Sequence, residues 1–320
     1  MSDATSAKVV VPLAYGQRAD AAAAAVSRRL LGVITANREG VLAGQDDLEF
    51  LHRLRTSVRR SRTVARQLAA AFPQWELPGF RSELRWLQRV TGEARDLDVY
   101  RHNFEDMRAL VPAEIRCDLD PLRQVLEQRR LAAHQEMVLA LGSRRTDELL
   151  IDWEALLEHL VELPIADRPG ATSPIGELAG KRIRKLYKRV VRIGAAIEDS
   201  SPPEAYHELR KKAKELRYML ELFGTQLHPE EVVTPMVASL KALQEVLGRH
   251  QDREVQVSAL RSLADEVAAQ PGGPGALMAM GVLVDRLQAD ELAAREEFAE
   301  RFAALASSEQ HKVVKDTFSS

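Results

Sequence analysis

The sequence predicts an all-α protein. Hydrophobic residues make up 45% of the 320 residues and charged residues 29%, and there are only 14 Pro and 17 Gly. This composition, rich in Ala, Leu, Glu and Arg, favours long amphipathic helices. Few stretches alternate apolar and polar residues as a half-buried strand does. At this length the chain can form two regions of ordinary domain size, each burying its own core.

Helical periodicity runs through nearly the whole chain. In the first half it predicts helices at residues 18–43, 46–71, 79–110, 113–141 and 147–162. In the second half it predicts helices at residues 175–198, 202–223, 229–250, 253–269 and 274–307. Residues 164–174, PIADRPGATSP, are predicted to be a linker between a first bundle, 18–163, and a second, 175–308. We expect residues 1–17 to be an N-terminal extension and residues 309–320 a disordered tail.

Local signals predict where some of these helices begin and end. Ser201 and Glu204 flank two prolines in the pattern of a capping box. Gly224 stands where a left-handed residue would close the same helix. Pro271-Gly272-Gly273-Pro274 is predicted to separate the last two helices.

Two motifs occur once in each half of the sequence. His52-x-x-Arg55-x-x-x-Arg59-x-x-Arg62 matches His207-x-x-Arg210-x-x-x-Lys214-x-x-Arg217 at an offset of 155 residues. Leu87-Gln88-x-x-x-Gly92-x-x-x-Asp96 matches Leu243-Gln244-x-x-x-Gly248-x-x-x-Asp252 at an offset of 156. Because the order is kept and the offset is nearly constant, the sequence indicates two copies of one helical bundle.

The first motif forms a basic stripe in each half. The first stripe consists of His52, Arg55, Arg59, Arg62 and Arg66, and the second of His207, Arg210, Lys214 and Arg217. Their spacing of three and four residues places each stripe on one helix face, next to the apolar face. Arginine binds phosphate oxygens bidentately and stays charged. Since like charges at this spacing repel, acidic partners or a bound anion should offset them.

Other basic residues are candidates for the same lining. Arg85 and Lys241 are equivalent across the repeat and precede the glycine motifs. Between Lys181 and Arg192 there are seven basic residues and no acidic one, of which Arg182 and Lys185 are predicted to face inward. The net charge is only −2, so the basic residues are segregated and not in excess. Segregated charge is informative about partners.

The compartment is predicted from what the chain lacks. A single cysteine, Cys117, excludes an internal disulfide and favours a reducing environment. The apolar run Val9–Val11 is far shorter than the core of a signal peptide. No apolar run approaches the ~20 residues that span a membrane. We therefore expect a cytoplasmic protein that does not contact membranes.

These motifs resemble the conserved histidine α-helical domain, CHAD. The residues that carry the resemblance are His52 to Arg62, GEARDLD at 92–98, HELRKKAKELRYMLE at 207–221 and LKALQEVLGRHQD at 240–252. The similarity extends over about residues 18–308. It implies two pseudo-twofold-related antiparallel helical bundles around a central basic channel.

The resemblance also implies a ligand. Family members bind inorganic polyphosphate in the basic cavity and are often localised to polyphosphate granules, where other granule-associated proteins are possible partners. The matching positions here are His52, Arg55, Arg59, Arg62 and Arg95, and His207, Arg210, Lys214 and Arg217. In the second half Gln251 replaces the arginine equivalent to Arg95, which predicts unequal channel ends. The tunnel domain that some members carry, with a Glu-x-Glu-x-Lys signature, is absent, so a stand-alone binding module without enzymatic activity or cofactor is predicted.

Competing interpretations of the histidines and carboxylates remain open. A divalent-metal site would need His52 and His207 to converge with carboxylates such as Asp96, Asp98 or Asp252. No metal-ligand spacing supports this, and a hydrogen-bonded position beside the stripe or a phosphate contact is favoured. Asp96 and Asp252 are predicted to orient arginines, whereas a polyphosphate-processing site would use them to hold Mg²⁺.

Two other ligand classes would fit the same groove. Nucleic acid is disfavoured because single-strand binding adds exposed aromatic residues that stack on bases. Aromatic residues are only 5% of this chain, and those near the stripes are Tyr187, Tyr218 and Phe223. A helical scaffold for an acidic protein is the third possibility. The sequence leaves polyphosphate chain length and oligomeric state undetermined.

Overall fold

The structure, a computed structural model, describes residues 9–44, 48–198 and 200–318. Within these residues the protein is helical, which confirms the all-α prediction, and its one β-type contact is a bridge between Arg18 and Pro174. Residues 1–8 of the predicted extension lie outside the described residues. In the part of the chain that is described, every helix is too short or too polar to cross a bilayer.

In the first half, the described residues form six α-helices. They are α1 (Ala19–Leu42), α2 (Leu48–Gln67), α3 (Leu77–Val90), α4 (Gly92–Ala109), α5 (Asp120–Leu141) and α6 (Arg144–His159). The one helix predicted over 79–110 is two helices, because Thr91 interrupts it. Its hydroxyl donates to the carbonyl of Leu87 at 2.8 Å, and Arg55 Nη1 donates to the carbonyl of Gln88 at 2.8 Å. These side chains occupy carbonyls that a continuous helix would use.

The second half contains the remaining helices. They are α7 (Ile175–Gly194), α8 (Pro203–Met219), α9 (Thr225–Leu227), α10 (Glu230–Ser262), α11 (Ala264–Ala268), α12 (Gly273–Leu305) and α13 (Ser308–Thr317). The predicted break between 250 and 253 is wrong, since α10 continues to Ser262. The break at 271–274 is present, with Gly272 in the left-handed region at φ 81° before α12.

Two of the predicted helix ends differ in the structure. Ser201 does not cap α8, which begins at Pro203 without a side-chain cap; its hydroxyl accepts instead from the Glu198 N–H at 2.9 Å. Gly224 does not close the helix in a left-handed conformation. It lies in a π-helical turn, Leu220–Gly224, that joins α8 to α9. Such a turn fits one more residue than an α-helical turn, and it lies between the two motifs, where the repeat offset rises from 155 to 156.

The end of the chain is also more ordered than predicted. Residues 309–318 were expected to be disordered, yet Ser308–Thr317 forms α13. Ser307 accepts a hydrogen bond from the Gln310 N–H at 3.2 Å and so caps this helix. Phe318 is fully buried. A side chain of this size in the core fixes the C-terminal helix against the rest of the fold.

The predicted linker is an ordered segment that packs on the start of α1. Its carbonyls at Ser173 and Ala171 accept from the N–H groups of Ala19 and Asp20, which have no partner within the helix. Arg168 is fully buried and pairs with the equally buried Asp20 at 2.9 Å. The segment between the halves is therefore part of the folded core.

Packing between neighbouring helices places the basic stripes close together. In the first half α1 packs on α2 and α4 on α5, and in the second half α7 packs on α8 and α10 on both α8 and α12. One continuous set of buried apolar side chains runs through both halves. The halves also meet directly, because α2 contacts α8. The two helices that carry the stripes are thus neighbours.

Candidate functional site: a basic pocket between α2, α3 and α8

A pocket of about 210 Å³ lies between α2, α3 and α8. We call it the basic pocket. Among the described residues, its lining contains seven basic side chains: Arg59, Arg62, Arg66, Arg81, Arg85, Lys211 and Lys214. The rest of the lining is Thr63, Glu215 and Tyr218. The pocket therefore concentrates positive charge in a chain whose net charge is slightly negative.

Arg62 is the most closely surrounded by like charge. Burial lowers the pKa of its guanidinium, and four neighbouring arginines lower it further because they disfavour the protonated form. These neighbours are Arg66, Arg85, Arg81 and Arg59. Arginine nevertheless stays protonated at neutral pH. The protein thus holds repelling cations together, and a polyanion would offset that repulsion.

Glu215 is the one carboxylate among the described lining residues, and it is already engaged. Its side chain is only 8% exposed and lies 2.7 Å from Arg66 Nη2 and 2.9 Å from Lys212 Nζ. Gln67 Nε2 also donates to it at 3.1 Å. Because these contacts use the carboxylate, it does not compensate the other lining cations, of which Lys211 pairs with Glu208 at 2.8 Å outside the lining.

Lys214 lies among cations from both halves of the chain. Burial lowers the pKa of its ammonium group to about 7, and Arg210, Arg59 and Arg217 act in the same direction while Asp252 opposes them. Its amine therefore loses its proton at a much lower pH than an exposed lysine does. A bound anion would favour the protonated form.

Arg55 is positioned by the second sequence motif. Its Nη1 donates to the Gln88 carbonyl at 2.8 Å and to Thr91 Oγ1 at 2.9 Å. Burial lowers the pKa of Arg55 to about 10, and the nearby Asp96 carboxylate opposes this shift. A Cβ on Gly92 would lie 3.6 Å from Arg55 Nη1.

Arg210 has the equivalent surroundings in the second half. Its Nη2 lies 3.4 Å from Asp252 Oδ1. A Cβ on Gly248 would lie 3.2 Å from the same nitrogen, which is closer than most such contacts. In both motifs the aspartate lies close enough to the stripe arginine to oppose or balance its charge, and at Gly248 the absence of a side chain leaves room for Arg210. That Asp96 and Asp252 orient arginines stays a prediction.

The two motif histidines lie outside the lining of the basic pocket. His52 Nδ1 is 3.5 Å from Arg95 Nη2, and burial, followed by the Arg95 charge, lowers the pKa of its imidazole. His207 Nδ1 is hydrogen-bonded to Gln251 Oε1, the residue that replaces Arg95 in the repeat. In the described part of the chain, no three His, Cys, Asp or Glu side chains converge as a metal site requires.

The structure brings together part of the predicted site. Five predicted residues line the basic pocket: Arg59, Arg62, Arg66, Arg85 and Lys214. Lys241 lies instead in a separate pocket, and Arg182 and Lys185 on α7 are in neither. Arg217 lies 3.7 Å from Glu221. Different side chains surround Lys241 and its repeat equivalent Arg85, which line different pockets.

The sequence analysis missed two lining residues, Arg81 and Lys211. Arg81 precedes Arg85 by four residues on α3, so helical spacing could have identified it. Lys211 follows Arg210 and lies off the stripe, and only the packing of α8 against α2 and α3 brings it to the pocket. No pattern in the sequence near Lys211 predicts this placement.

Replacing Arg62 by Met is expected to stabilise the ligand-free protein by roughly 0.5–2 kcal/mol. The change removes a guanidinium that four arginines repel, and Met retains the packing of the aliphatic stem. Arg66→Met is the matched control. It takes an ion-pair partner from the buried Glu215 and should cost about 1–3 kcal/mol. Urea unfolding in phosphate-free buffer measures both, and destabilisation by both variants would contradict the expectation.

Comparison with known sequences gives a consistent set of relatives. The sequence profile of the CHAD domain matches residues 25–261. The uncharacterized proteins Rv2226 and MT2285 of Mycobacterium tuberculosis, from strains H37Rv and CDC 1551, are each 28% identical to this chain over 236 residues. Each match covers 71% of this chain but 42% of the relative, so the chain spans less than half of their length.

Two solved structures share the fold. The crystal structure of the CHAD domain from the plant Ricinus communis superposes with a TM-score of 0.75 at 24% identity, covering 93% of this chain and 96% of that domain. PptA from Streptomyces chartreusis superposes with a TM-score of 0.66 at 19% identity, covering 89% of this chain and 99% of that protein. At these identities the similarity establishes the architecture alone.

Proposed function

The chain belongs to the CHAD domain family, and on this premise we propose that it binds inorganic polyphosphate in the basic pocket without cleaving it. The family is associated with the binding and metabolism of polyphosphate. The observation that carries the proposal is the pocket lining, in which seven basic side chains meet one carboxylate that is already paired. We include in the proposal the channel that the resemblance implies, with the stripes of α2 and α8 as its walls.

The dimensions of the first stripe favour a chain of phosphates over a single one. From His52 to Arg66 the stripe extends over about 21 Å at ~1.5 Å per residue. Arginine forks along this length can each contact different phosphate oxygens. We therefore propose a ligand with regularly repeated negative charge. Association with cytoplasmic polyphosphate granules is the setting that we propose for this binding.

The proposal disfavours nucleic acid because the pocket offers no free aromatic face. Tyr218 is the aromatic residue in the described lining. The guanidinium carbons of Arg60 and Arg217 each lie 5.5 Å from its ring centroid, a distance typical of cation–π contacts. A base would have to displace them in order to stack.

The proposed lack of catalysis follows from the same lining. Phosphoanhydride hydrolysis usually requires divalent cations held by carboxylates. Glu215 in this pocket lies against Arg66 and Lys212, so a second cation at that position would be repelled. Phosphate release from polyphosphate with Mg²⁺ or Mn²⁺ is expected to equal the protein-free rate. Release that is abolished by Glu215→Gln would overturn this part of the proposal.

Titration with fluorescently labelled long-chain polyphosphate tests the proposed function. We expect tight binding that weakens steeply as salt is raised, since ion release drives association with a polyanion. Single-stranded DNA and an acidic polypeptide, at matched charge concentration and salt, are the competitors and are expected to bind at least tenfold more weakly. Equal affinity for DNA, or an absence of polyphosphate binding at low salt, would refute the proposal.

A further inference from the structure

A second pocket is lined by the π-helical turn, α9 and α10 together with Arg60 of α2, and some of its positions are related by the repeat to those of the basic pocket. We call it the counterpart pocket. Its lining includes Val9, Arg60, Glu221, Glu230, Val237 and Lys241. The offset of 155 relates Arg66 to Glu221, and the offset of 156 relates Arg81 to Val237 and Arg85 to Lys241. At these positions the described linings of the two pockets are therefore equivalent and carry different residues.

Ion pairs support this equivalence because they are reciprocal. Arg66 on α2 pairs with Glu215 on α8 at 2.7 Å, and Glu221 in the π-helical turn after α8 pairs with Arg60 on α2 at 2.8 Å. Glu215 is the repeat equivalent of Arg60, so the same two positions meet twice with the charges exchanged. Contacts of this kind, i to j and j to i, are characteristic of a twofold relation.

Because the charges are exchanged, the more exposed member of the ion pair is a cation beside the basic pocket and a carboxylate beside the counterpart pocket. Beside the basic pocket, Arg66 is 40% exposed and its partner Glu215 only 8%. Beside the counterpart pocket, the carboxylate Glu221 is the more exposed member at 19%, against 13% for Arg60. Glu221 also lies 3.7 Å from Arg217 and so offsets a stripe arginine.

The other differences between the two pockets also make the counterpart pocket less positively charged than the basic pocket. Val237 replaces Arg81, and the repeat equivalent of Lys211 is the uncharged Thr56. In the described lining, two basic residues and two carboxylates, Glu221 and Glu230, surround the counterpart pocket. The basic pocket has seven basic residues and one carboxylate. An anion would be attracted to one pocket and find no net attraction in the other.

We propose that polyphosphate binds this protein on one side only, in the basic pocket, and that Glu221 and Val237 are the residues that exclude it from the counterpart pocket. This inference rests on the proposed function. The unequal channel ends expected from the sequence depend on Gln251, whereas one-sided binding depends on Glu221 and Val237. Gln251 is hydrogen-bonded to His207 and Glu254 and lines neither pocket. One short polyphosphate should therefore bind per protein.

Isothermal titration with linear tripolyphosphate at low salt tests this inference through stoichiometry. The wild-type protein is expected to bind one molecule. The triple variant Arg60→Glu/Glu221→Arg/Val237→Arg gives three positions of the counterpart pocket the residues of their repeat equivalents while keeping an ion pair, and it is expected to bind two. If thermal unfolding shows that it is not folded, Glu221→Gln is used and should show a weaker second site.

The reverse exchange provides the matched measurement. Arg81→Val/Lys211→Thr gives two positions of the basic pocket the residues of their repeat equivalents and is expected to weaken binding at least tenfold. One-sided binding would be overturned if the wild type bound two molecules, or if the folded counterpart variants bound only one. Unchanged affinity in Arg81→Val/Lys211→Thr would overturn it as well. Each of these results would leave the proposed function intact. Failure of the wild type to bind either tripolyphosphate or long chains would refute both.

Discussion

Replacing Arg62 and Arg85 together by alanine is expected to reduce the affinity for polyphosphate at least a hundredfold. Both side chains line the basic pocket, and neither is paired with a carboxylate among the described residues. Each charge-assisted hydrogen bond to phosphate contributes about 1.5–3 kcal/mol, so two lost bonds correspond to a factor of a hundred or more. Titration with labelled long-chain polyphosphate at constant salt measures the loss.

The matched control removes the same charge from a different helix. Arg182→Ala/Lys185→Ala alters two residues of α7 that the sequence predicted to face the ligand and that lie outside the basic pocket. Its affinity is expected to stay within about threefold of wild type, because neither side chain lines the pocket and charges outside it are screened by salt. An equal loss in both variants would show that overall charge, and not the pocket, governs binding.

This pair of variants also separates what sequence could predict from what it could not. The stripes were predictable because residues three and four apart share a helix face whatever surrounds the helix. The position of a stripe relative to α7 depends on packing, and the dense basic run of α7 carried no information about it. Arg182 and Lys185 were therefore plausible in sequence and are placed elsewhere in the fold.

Helix boundaries were predictable where the signal is local. Gly272 marks a true break because its positive φ is accessible mainly to glycine. The break at Thr91 was missed because it depends on Arg55, 36 residues earlier, which donates to Thr91 and to Gln88. The π-helical turn at Gly224 was missed for a similar reason, since a glycine there reads as a helix end when the packing around it is unknown.

Affinity for polyphosphate is expected to fall by up to about tenfold per pH unit above pH 7. The Lys214 ammonium has a pKa of about 7 in the free protein, lowered by burial and by Arg210, Arg59 and Arg217 against the opposing Asp252. Bound phosphate favours the protonated form and raises this pKa, so binding above pH 7 takes up a proton. Dissociation constants at pH 7, 8 and 9 measure the slope.

Lys214→Arg is the control, because arginine remains charged across this range. Its affinity is expected to change little between pH 7 and 9. If the variant keeps the wild-type slope, a group other than Lys214 is responsible. Long chains are the appropriate ligand here, since their charge is dominated by internal phosphates and depends little on the terminal groups.

Deprotonation of Lys214 is expected to weaken ligand binding as pH rises but to increase the stability of the ligand-free fold. The unfolded chain holds the Lys214 proton up to the ordinary pKa of 10.5, whereas the folded protein releases it near 7. Between these values the unfolded state binds more protons, so this residue makes the ligand-free protein more stable as pH rises. Partial unfolding at alkaline pH would lower stability and affinity together. Rising stability with falling affinity, both lost in Lys214→Arg, would therefore assign the pH dependence to this single buried amine.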